Sequence, residues 1–563
     1  MVSVKLFSKT DKNIRIFQMS SSDIKLQLSY TGGFDEIAIS TWSKMMTIVS
    51  APHPKTIDEV VLGDKEPTIE EFVAVARYSA KVGFSEAYKE RVKRSRRLVE
   101  RFLDENRLVY GVTTGFGDNV RHVISPKDAS ELQVNIVRSH AVAIGEPLNR
   151  EQVRAIQLMI LISLGKGYSG VRLELLEMIA ALLNNEVVPF APGEGSVGYL
   201  AVEGHLALVL LGEGQARVNG GELVDGATAL EQVGLKPIDL QCKEGLAMLN
   251  GTTSVTAISI LALYNALQSV ELADVAAAMS LEALKGTIRA FDARYHSVKA
   301  HSGQAESAAR IRSILHDSQL IAENIDYRLQ DPYSLRAVPQ VHGASRTFVD
   351  YARQSIENEI GSSGDNPVIY PLSDDDCIAI SGANFDGSYI GLSSDTMCNA
   401  MTNLAKISER RTDRMVNSHF SELPAFLVRN PGLNNGYMIV QYTAAGLLGE
   451  MKVLSFPSTV DSVSTCGNQE DPVSFAYNAA VKAYKVSQKL ESVLAIELLV
   501  ACQALDFYDV SKASSATKAV YDLVRSRVPV AEQDRAFYPD IVSVTEQVRS
   551  GEVLAVVATQ LKV

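Results

Sequence analysis

Residues 253–286 read TSVTAISILALYNALQSVELADVAAAMSLEALKG, and residues 476–507 read AYNAAVKAYKVSQKLESVLAIELLVACQALDF. Wound as helices, both are apolar on most sides rather than along one stripe. A helix of that kind has no face suited to water, so it belongs in a domain core or at an extensive subunit interface. Two such segments in one chain predict a mainly α fold organised on long central helices.

Working outward, the neighbouring sequence agrees. Thr68-Ile-Glu-Glu has the form of a capping box and opens EEFVAVARYSAKVGF, whose apolar residues recur at helical spacing. Hairpin signals are few, and RVNGGELV (217–224), with Gly-Gly at its turn, is the clearest. No internal repeat stands out and no low-complexity linker divides the chain. Residues 1–55 read differently: IRIFQ and IKLQLSY alternate as short strands do, and the only tryptophan, Trp42, lies there. They form an N-terminal appendage, and 531–563 a C-terminal helical tail. Between them, 110–120, 190–200, 330–345 and 362–388 read as loops, where function usually sits on a helical scaffold.

At 563 residues, 46% hydrophobic and 21% charged, the chain is globular and buries a large core. A formal charge of −12 argues against a nucleic-acid surface, which needs a basic stripe. No window approaches about 18 consecutive apolar residues, so no membrane span is expected. The start, MVSVKLFSKTDKNIRIF, has no apolar h-region or small-residue cleavage site, which argues against secretion. Cys242, Cys377, Cys398, Cys466 and Cys502 are odd in number, scattered, and in no metal-binding spacing. They read as reduced thiols of a cytoplasmic protein with no metal.

Four places offer chemistry. Tyr110-Gly-Val-Thr-Thr-Gly-Phe-Gly117 is glycine-rich but fits neither GxGxxG nor a P-loop; it is either a turn holding a core tyrosine or a loop presenting an acid/base tyrosine. In Gln330-Asp-Pro-Tyr-Ser-Leu-Arg336, Pro332 suggests a turn or helix start that sets Tyr333 and Arg336 on one face. An arginine there stabilises a phenolate by its charge, and its fork matches a carboxylate; an ordinary surface pair is the alternative. Asn468-Gln-Glu-Asp471, after Cys466-Gly, is either a solvated turn or a site, and His140 of Ser139-His140 is either structural or functional. None of the four names an activity by itself.

Together they do. VYGVTTGFG (109–117), VRSHAVAIGEP (137–147), GLAMLNGT (245–252), FDARYHSVKAHSGQ (291–304), QDPYSLRAVPQVHG (330–343), SGDNPV (363–368), SGANF (381–385) and VDSVSTCGNQED (460–471) stand in one order. In that order the chain resembles the histidine/aromatic amino-acid ammonia-lyase and aminomutase family, from about residue 60 to about 530. The resemblance implies a helical catalytic body over 56–530 with near-parallel central helices, assembled as a homotetramer whose sites draw on several subunits. It also implies a carbon–nitrogen lyase that eliminates ammonia or an amine from a small amino acid to leave an unsaturated acid.

Position by position, the resemblance makes Tyr110 the loop acid/base and Tyr333 its partner, with Arg336 the carboxylate clamp. Asn250 and Gln330 become polar groups around the electrophile and the amino-acid moiety, and Phe385 an aromatic wall. His140 and Glu470 fit the histidine branch, where an NQED glutamate contacts an imidazole. A carboxylate accepts an N–H from that ring, whereas a phenyl ring offers it none and leaves its burial uncompensated. Histidine or a histidine-like substrate, giving a urocanate-type product, is the expectation.

One segment departs. The family pattern is Gly-Ser-Val-Gly, Ala-Ser-Gly, then Asp-Leu-Ala-Pro-Leu-x-His. Here Gly195-Ser-Val-Gly198 runs directly into Tyr199-Leu-Ala-Val-Glu-Gly-His205. The absent triplet is the one that cyclises to methylidene-imidazolone (MIO), the family's electrophile. Gly198 and Tyr199 therefore mark an electrophile loop with no precursor, unless a cyclised residue stands there that the one-letter sequence does not carry. Tyr199 in place of aspartate, Val202-Glu203 in place of Pro-Leu, and Asp386 where histidine is common point to a remodelled site. Without MIO, elimination needs a leaving group that is already good. A quaternary ammonium qualifies, as in ergothionase, a relative that releases trimethylamine from a histidine betaine. An aromatic aminomutase and an inactive ligand-binding descendant remain the other readings.

Overall fold

Both deciding segments fold as the sequence predicts. In the computed structural model, which describes residues 2–5, 16–19, 52–105, 107–125 and 128–561, the first forms the 31-residue helix Thr253–Ala283, buried at every residue but Leu267 and Gln268. The second forms Ala476–Leu505, whose last 13 residues, Val493 to Leu505, are buried on all sides. These two pack against each other and against Ser388–Val416, with Val338–Ile360 completing the central set. By length and composition the stretch Glu244–Ala283 is apolar enough to cross a membrane, but its most apolar 18-residue window lies wholly inside this core.

A core this apolar still carries charged pairs. Asp274 accepts from His342 Nδ1 at 2.8 Å and from Arg346 at 2.9 Å. Burial pushes its carboxyl upward, yet His342 and the guanidinium groups of Arg346 and Arg310 outweigh that and hold it at about 2. Glu497 accepts from Arg411 at 2.5 Å and from Ser408 at 2.6 Å. Losing either partner would strand a buried charge, so these pairs fix how the long helices meet.

The capping box is present: Thr68 accepts from Glu71 N and Glu71 returns the bond to Thr68 N. The helix it opens, Ile69–Tyr78, is shorter than the periodic run suggested. Ser79 turns left-handed at φ 65°, and Lys81–Phe84 leaves to pair in parallel with Glu59–Leu62. The hairpin at RVNGGELV forms between Gln215–Val218 and Leu223–Asp225. The 330–345 segment, read as a loop, is mostly helix: Tyr333–Arg336, then Val338–Ile360. Pro332 caps the first helix, the helix start its position suggested, and Pro339 sits in the first turn of the second, where no N–H partner is lost.

The chain divides into two units, Met1–Ala51 and Pro52–Val563. In the first, Val2–Lys5 pairs antiparallel with Ile16–Met19, which takes up the Ile16–Gln18 part of IRIFQ; IKLQLSY and Trp42 lie outside the described residues. Residues 531–561 belong to the second unit, where Tyr538–Arg549 packs on Ala476–Leu505. The five cysteines are free, and only Cys466 is exposed.

Candidate active site

Seven of the ten sequence-predicted residues gather where loops meet above the long helices. The 110–117 loop is folded back on itself: the Tyr110 hydroxyl oxygen accepts the Gly117 N–H at 2.9 Å. Gly117 has φ 57°, and a Cβ there would stand 2.6 Å from Cys466 Sγ, so the glycine permits the approach of the 465–471 loop. That loop is closed by Thr465, whose N–H reaches Glu470 O at 2.9 Å and whose hydroxyl donates to Glu470 Oε2 at 2.6 Å. Burial raises the Tyr110 phenol, and the neighbouring Cys466 and Glu470 add to that, against the Gly117 bond. The proton is therefore held firmly until a reaction demands it.

His140 ends the helix Ala129–His140 and faces the same carboxylate. Its Nδ1 lies 2.7 Å from Ile136 O. A carbonyl only accepts, so Nδ1 carries the hydrogen and Nε2 is left as an acceptor. Burial lowers its pKa, opposed by the Ile136 bond and the Glu470 charge. The Phe116 ring stands edge-on to it at 6.0 Å.

Tyr199 enters from the electrophile loop. The residue is 6% exposed, its ring meets Phe385 edge-on at 5.3 Å, and its phenol lies near enough to Glu470 to feel that charge. Burial first, then Glu470, push its phenol strongly upward. The joint behind it is tight. Gly198 lies at φ 151° with Ser474 Oγ 2.9 Å from where its Cβ would be, and Phe475 N bonds Val197 O at 2.9 Å. Leu200 then takes φ 80°, a left-handed conformation that costs a non-glycine residue about 1–3 kcal/mol, before helix Ala201–Leu210 begins. Asn250 follows the helix whose Leu246 packs against Gly111 of the Tyr110 loop, and its amide donates to Asp365 Oδ1 and Asn366 O, both at 3.2 Å.

The other three residues lie apart. Tyr333 and Arg336 share one helical turn as the spacing predicts, with the guanidinium 4.5 Å above the ring and Nε donating to Asp331 O at 2.8 Å. Tyr333 is 73% exposed and Gln330 is exposed. With Tyr295, Lys299, Gln304 and Gln340, the Tyr333–Arg336 turn lines a cavity of about 520 Å³. Among the described residues, no hydrogen bond, ion pair or ring contact joins Gln330, Tyr333 or Arg336 to the Glu470 basin. Sequence reading missed Thr465, a common residue type whose bond to Glu470 lies within its own loop, and the pair Lys243 and Asp365, which stand 122 residues apart in the chain. Cys466 was visible only as the residue opening the NQED turn.

A half-buried tyrosine, an imidazole and a carboxylate in one loop-built basin over long buried helices define an enzyme that moves protons at a small organic substrate. A family model described as aromatic amino acid lyase matches residues 68–526. A histidine ammonia-lyase of Caldanaerobacter subterraneus subsp. tengcongensis is 44% identical over 498 residues, 88% of this chain and 97% of the relative. Among solved structures, histidine ammonia-lyase from Trypanosoma cruzi superposes with TM-score 0.83 at 36% identity, covering 90% of this chain and 96% of that one. The ergothioneine-degrading ergothionase of Treponema denticola superposes with TM-score 0.80 at 27% identity, covering 88% of this chain and 100% of that one. The chain belongs to the aromatic amino acid lyase family, and it is a carbon–nitrogen lyase.

Proposed function

We propose that the protein removes ammonia or an amine from histidine or a histidine-like amino acid to give a urocanate-type acid, as a cytoplasmic homotetramer and without MIO. The observation that carries the substrate class is the Glu470 carboxylate, anchored by Thr465 beside His140 and Tyr110. An imidazole N–H satisfies such a group and a phenyl ring does not. The histidine ammonia-lyases among the relatives point the same way.

In this reading Arg336 holds the carboxylate and Glu470 the ring. Tyr110, as the phenolate once its own proton has passed to solvent, takes the Cβ proton, the C–H pair becomes the double bond, and the nitrogen leaves with the C–N pair. Tetramer assembly brings the Tyr333–Arg336 turn of one copy to the basin of another. Exposed Phe348, Tyr351, Tyr389, Leu392, Ile439 and Tyr442 support burial against further copies.

The Gly198-Tyr199-Leu200 joint does not fit MIO. No Ala-Ser-Gly precedes Tyr199, and the Tyr199 ring, buried and packed on Phe385, takes up the space beside the joint. That observation favours a second reading of the leaving group, a trimethylamine released from a histidine betaine, since a neutral amine departs from a quaternary nitrogen without an electrophile. Purified protein should have the intact mass of the written chain and no MIO absorbance in the near ultraviolet, and should form an unsaturated acid from histidine or its betaine. MIO absorbance would sink the MIO-free reading. Product from tyrosine or phenylalanine alone would sink the substrate class.

A further inference from the structure

Lys243 and Asp365 form an ion pair that the proposed reaction does not use. Lys243 Nζ stands 2.8 and 2.7 Å from the two Asp365 oxygens and 3.4 Å from Asn366 O. The side chains are 0% and 1% exposed. A pair this deep forgoes the hydration of both charges, so its value lies less in stability than in what it fixes. Lys243 even adopts a left-handed φ of 75° to reach it.

What it fixes is Asn250. Lys243 precedes the short helix Glu244–Leu249 and Asn250 follows it, so the two ends of one helix meet on the Asp365 loop. Both amide hydrogens of Asn250 are committed, one to Asp365 Oδ1 and one to Asn366 O. Those partners are acceptors only, so turning the amide round would set oxygen against oxygen. The remaining atom, Oδ1, makes no hydrogen bond among the described residues and is not among the buried polar atoms lacking a partner. The surface Asn250 keeps thus includes an oxygen. The same helix supports the Tyr110 loop, since Leu246 fills the space beside Gly111 and the Cys242 thiol donates to Val112 O at 3.1 Å. From the other side Asn366 Oδ1 accepts from Gly382 N–H at 3.0 Å, in the segment that leads to Phe385.

We propose that the buried Lys243–Asp365 pair is a positioning device of the active site: it clamps Asn250 so that the side chain offers substrate its carbonyl oxygen and no N–H, and that oxygen receives the cationic nitrogen. An acceptor there repels a carboxylate and favours a cation, whether the contact is an N–H···O bond or the pull of the amide dipole on a methylated nitrogen. The inference rests on the amino-acid lyase reading above.

The test measures histidine against 3-(imidazol-4-yl)propanoate, which keeps ring and carboxylate but lacks the nitrogen, on the full-length protein. In Asn250→Ala the KM of histidine should rise about tenfold or more, the scale of a lost hydrogen bond to a charged group, while the inhibition constant of the propanoate stays put. Lys243→Met should give the same selective loss, in smaller measure, by freeing the amide to turn. Equal losses for both ligands in Asn250→Ala, or a loss confined to the propanoate, would overturn the proposal and put Asn250 on the carboxylate. Asn250→Ala keeps the ion pair, so the result does not hang on whether Lys243→Met folds. A trimethyl betaine arm tells an N–H bond from a dipole contact; a selective loss in either form supports the proposal. If only phenylalanine binds, the ring reading has failed, and the same comparison with 3-phenylpropanoate still tests Asn250.

Discussion

The Glu470 basin and the Arg336 turn carry the same kind of chemistry, a tyrosine beside a charged partner, but they are built in opposite ways. The basin is assembled from six separate segments, and its groups are half-buried or buried and shifted in acidity: Tyr110 upward, His140 downward, Tyr199 upward. The Arg336 turn is a single helical turn whose geometry is complete in four residues and whose tyrosine stands open to solvent. The difference teaches where each is finished. A basin whose polar groups already shift one another's acidity is tuned within one chain, whereas an exposed tyrosine–arginine ledge has its chemistry but an open face, which the proposed tetramer would cover.

The largest expected effect separates the two halves outright. Tyr110→Phe should lower kcat by about 10²- to 10⁴-fold, the range for loss of a positioned acid/base group, with KM nearly unchanged. Arg336→Met should raise the KM of the amino acid by about 10- to 100-fold through loss of a charge-assisted pair. Co-expressing the two variants should restore a fraction of wild-type activity, because mixed assemblies pair an intact basin with an intact ledge from another copy. If mixed assemblies form and remain dead, basin and ledge act within one chain and the comparison is broken.

A smaller effect sharpens the basin's own role. Glu470→Gln should raise KM about tenfold for an imidazole substrate, while leaving any residual turnover of phenylalanine level or improved. Equal losses on both rings would remove the ground for histidine preference.

How much of this was legible follows the same division. The Tyr333–Arg336 pair could be read from spacing, because three residues of helix settle which side chains share a face. The long central helices could be read for a related reason: apolar residues on every side leave a helix nowhere to go but the interior. The basin could not be read that way, since Tyr110, His140, Tyr199, Phe385 and Glu470 meet only after the chain has folded, and family resemblance alone grouped them. Lys243 left no mark at all, as nothing local distinguishes a lysine that will be buried against Asp365. The loop reading of 330–345 missed the start of Val338–Ile360, because a proline in a first helical turn, such as Pro339, and a proline in a loop look alike in sequence.

The smallest effect concerns His140, and its sign follows from its environment. Burial lowers its folded pKa below the ordinary 6.5. As pH falls below 6.5 the unfolded chain takes up this proton before the folded one, so stability is lost from there down to the folded pKa and is level beneath it. His53, His205, His296 and His342 are lowered too, also chiefly by burial, so wild-type acid sensitivity is shared. The difference between wild type and His140→Gln isolates one contribution: the variant should gain about 1 °C in relative Tm between pH 7.5 and the acid limb. Parallel Tm curves would place His140 outside the basin's electrostatics. The Glu470 charge opposes the depression, so Glu470→Gln should carry the His140 transition to still lower pH, readable from the imidazole proton resonances. A substitution at Arg336 should move that transition upward, because the proposed assembly sets the ledge of another copy at the basin and loss of its charge favours the imidazolium; an unmoved transition would separate ledge from basin.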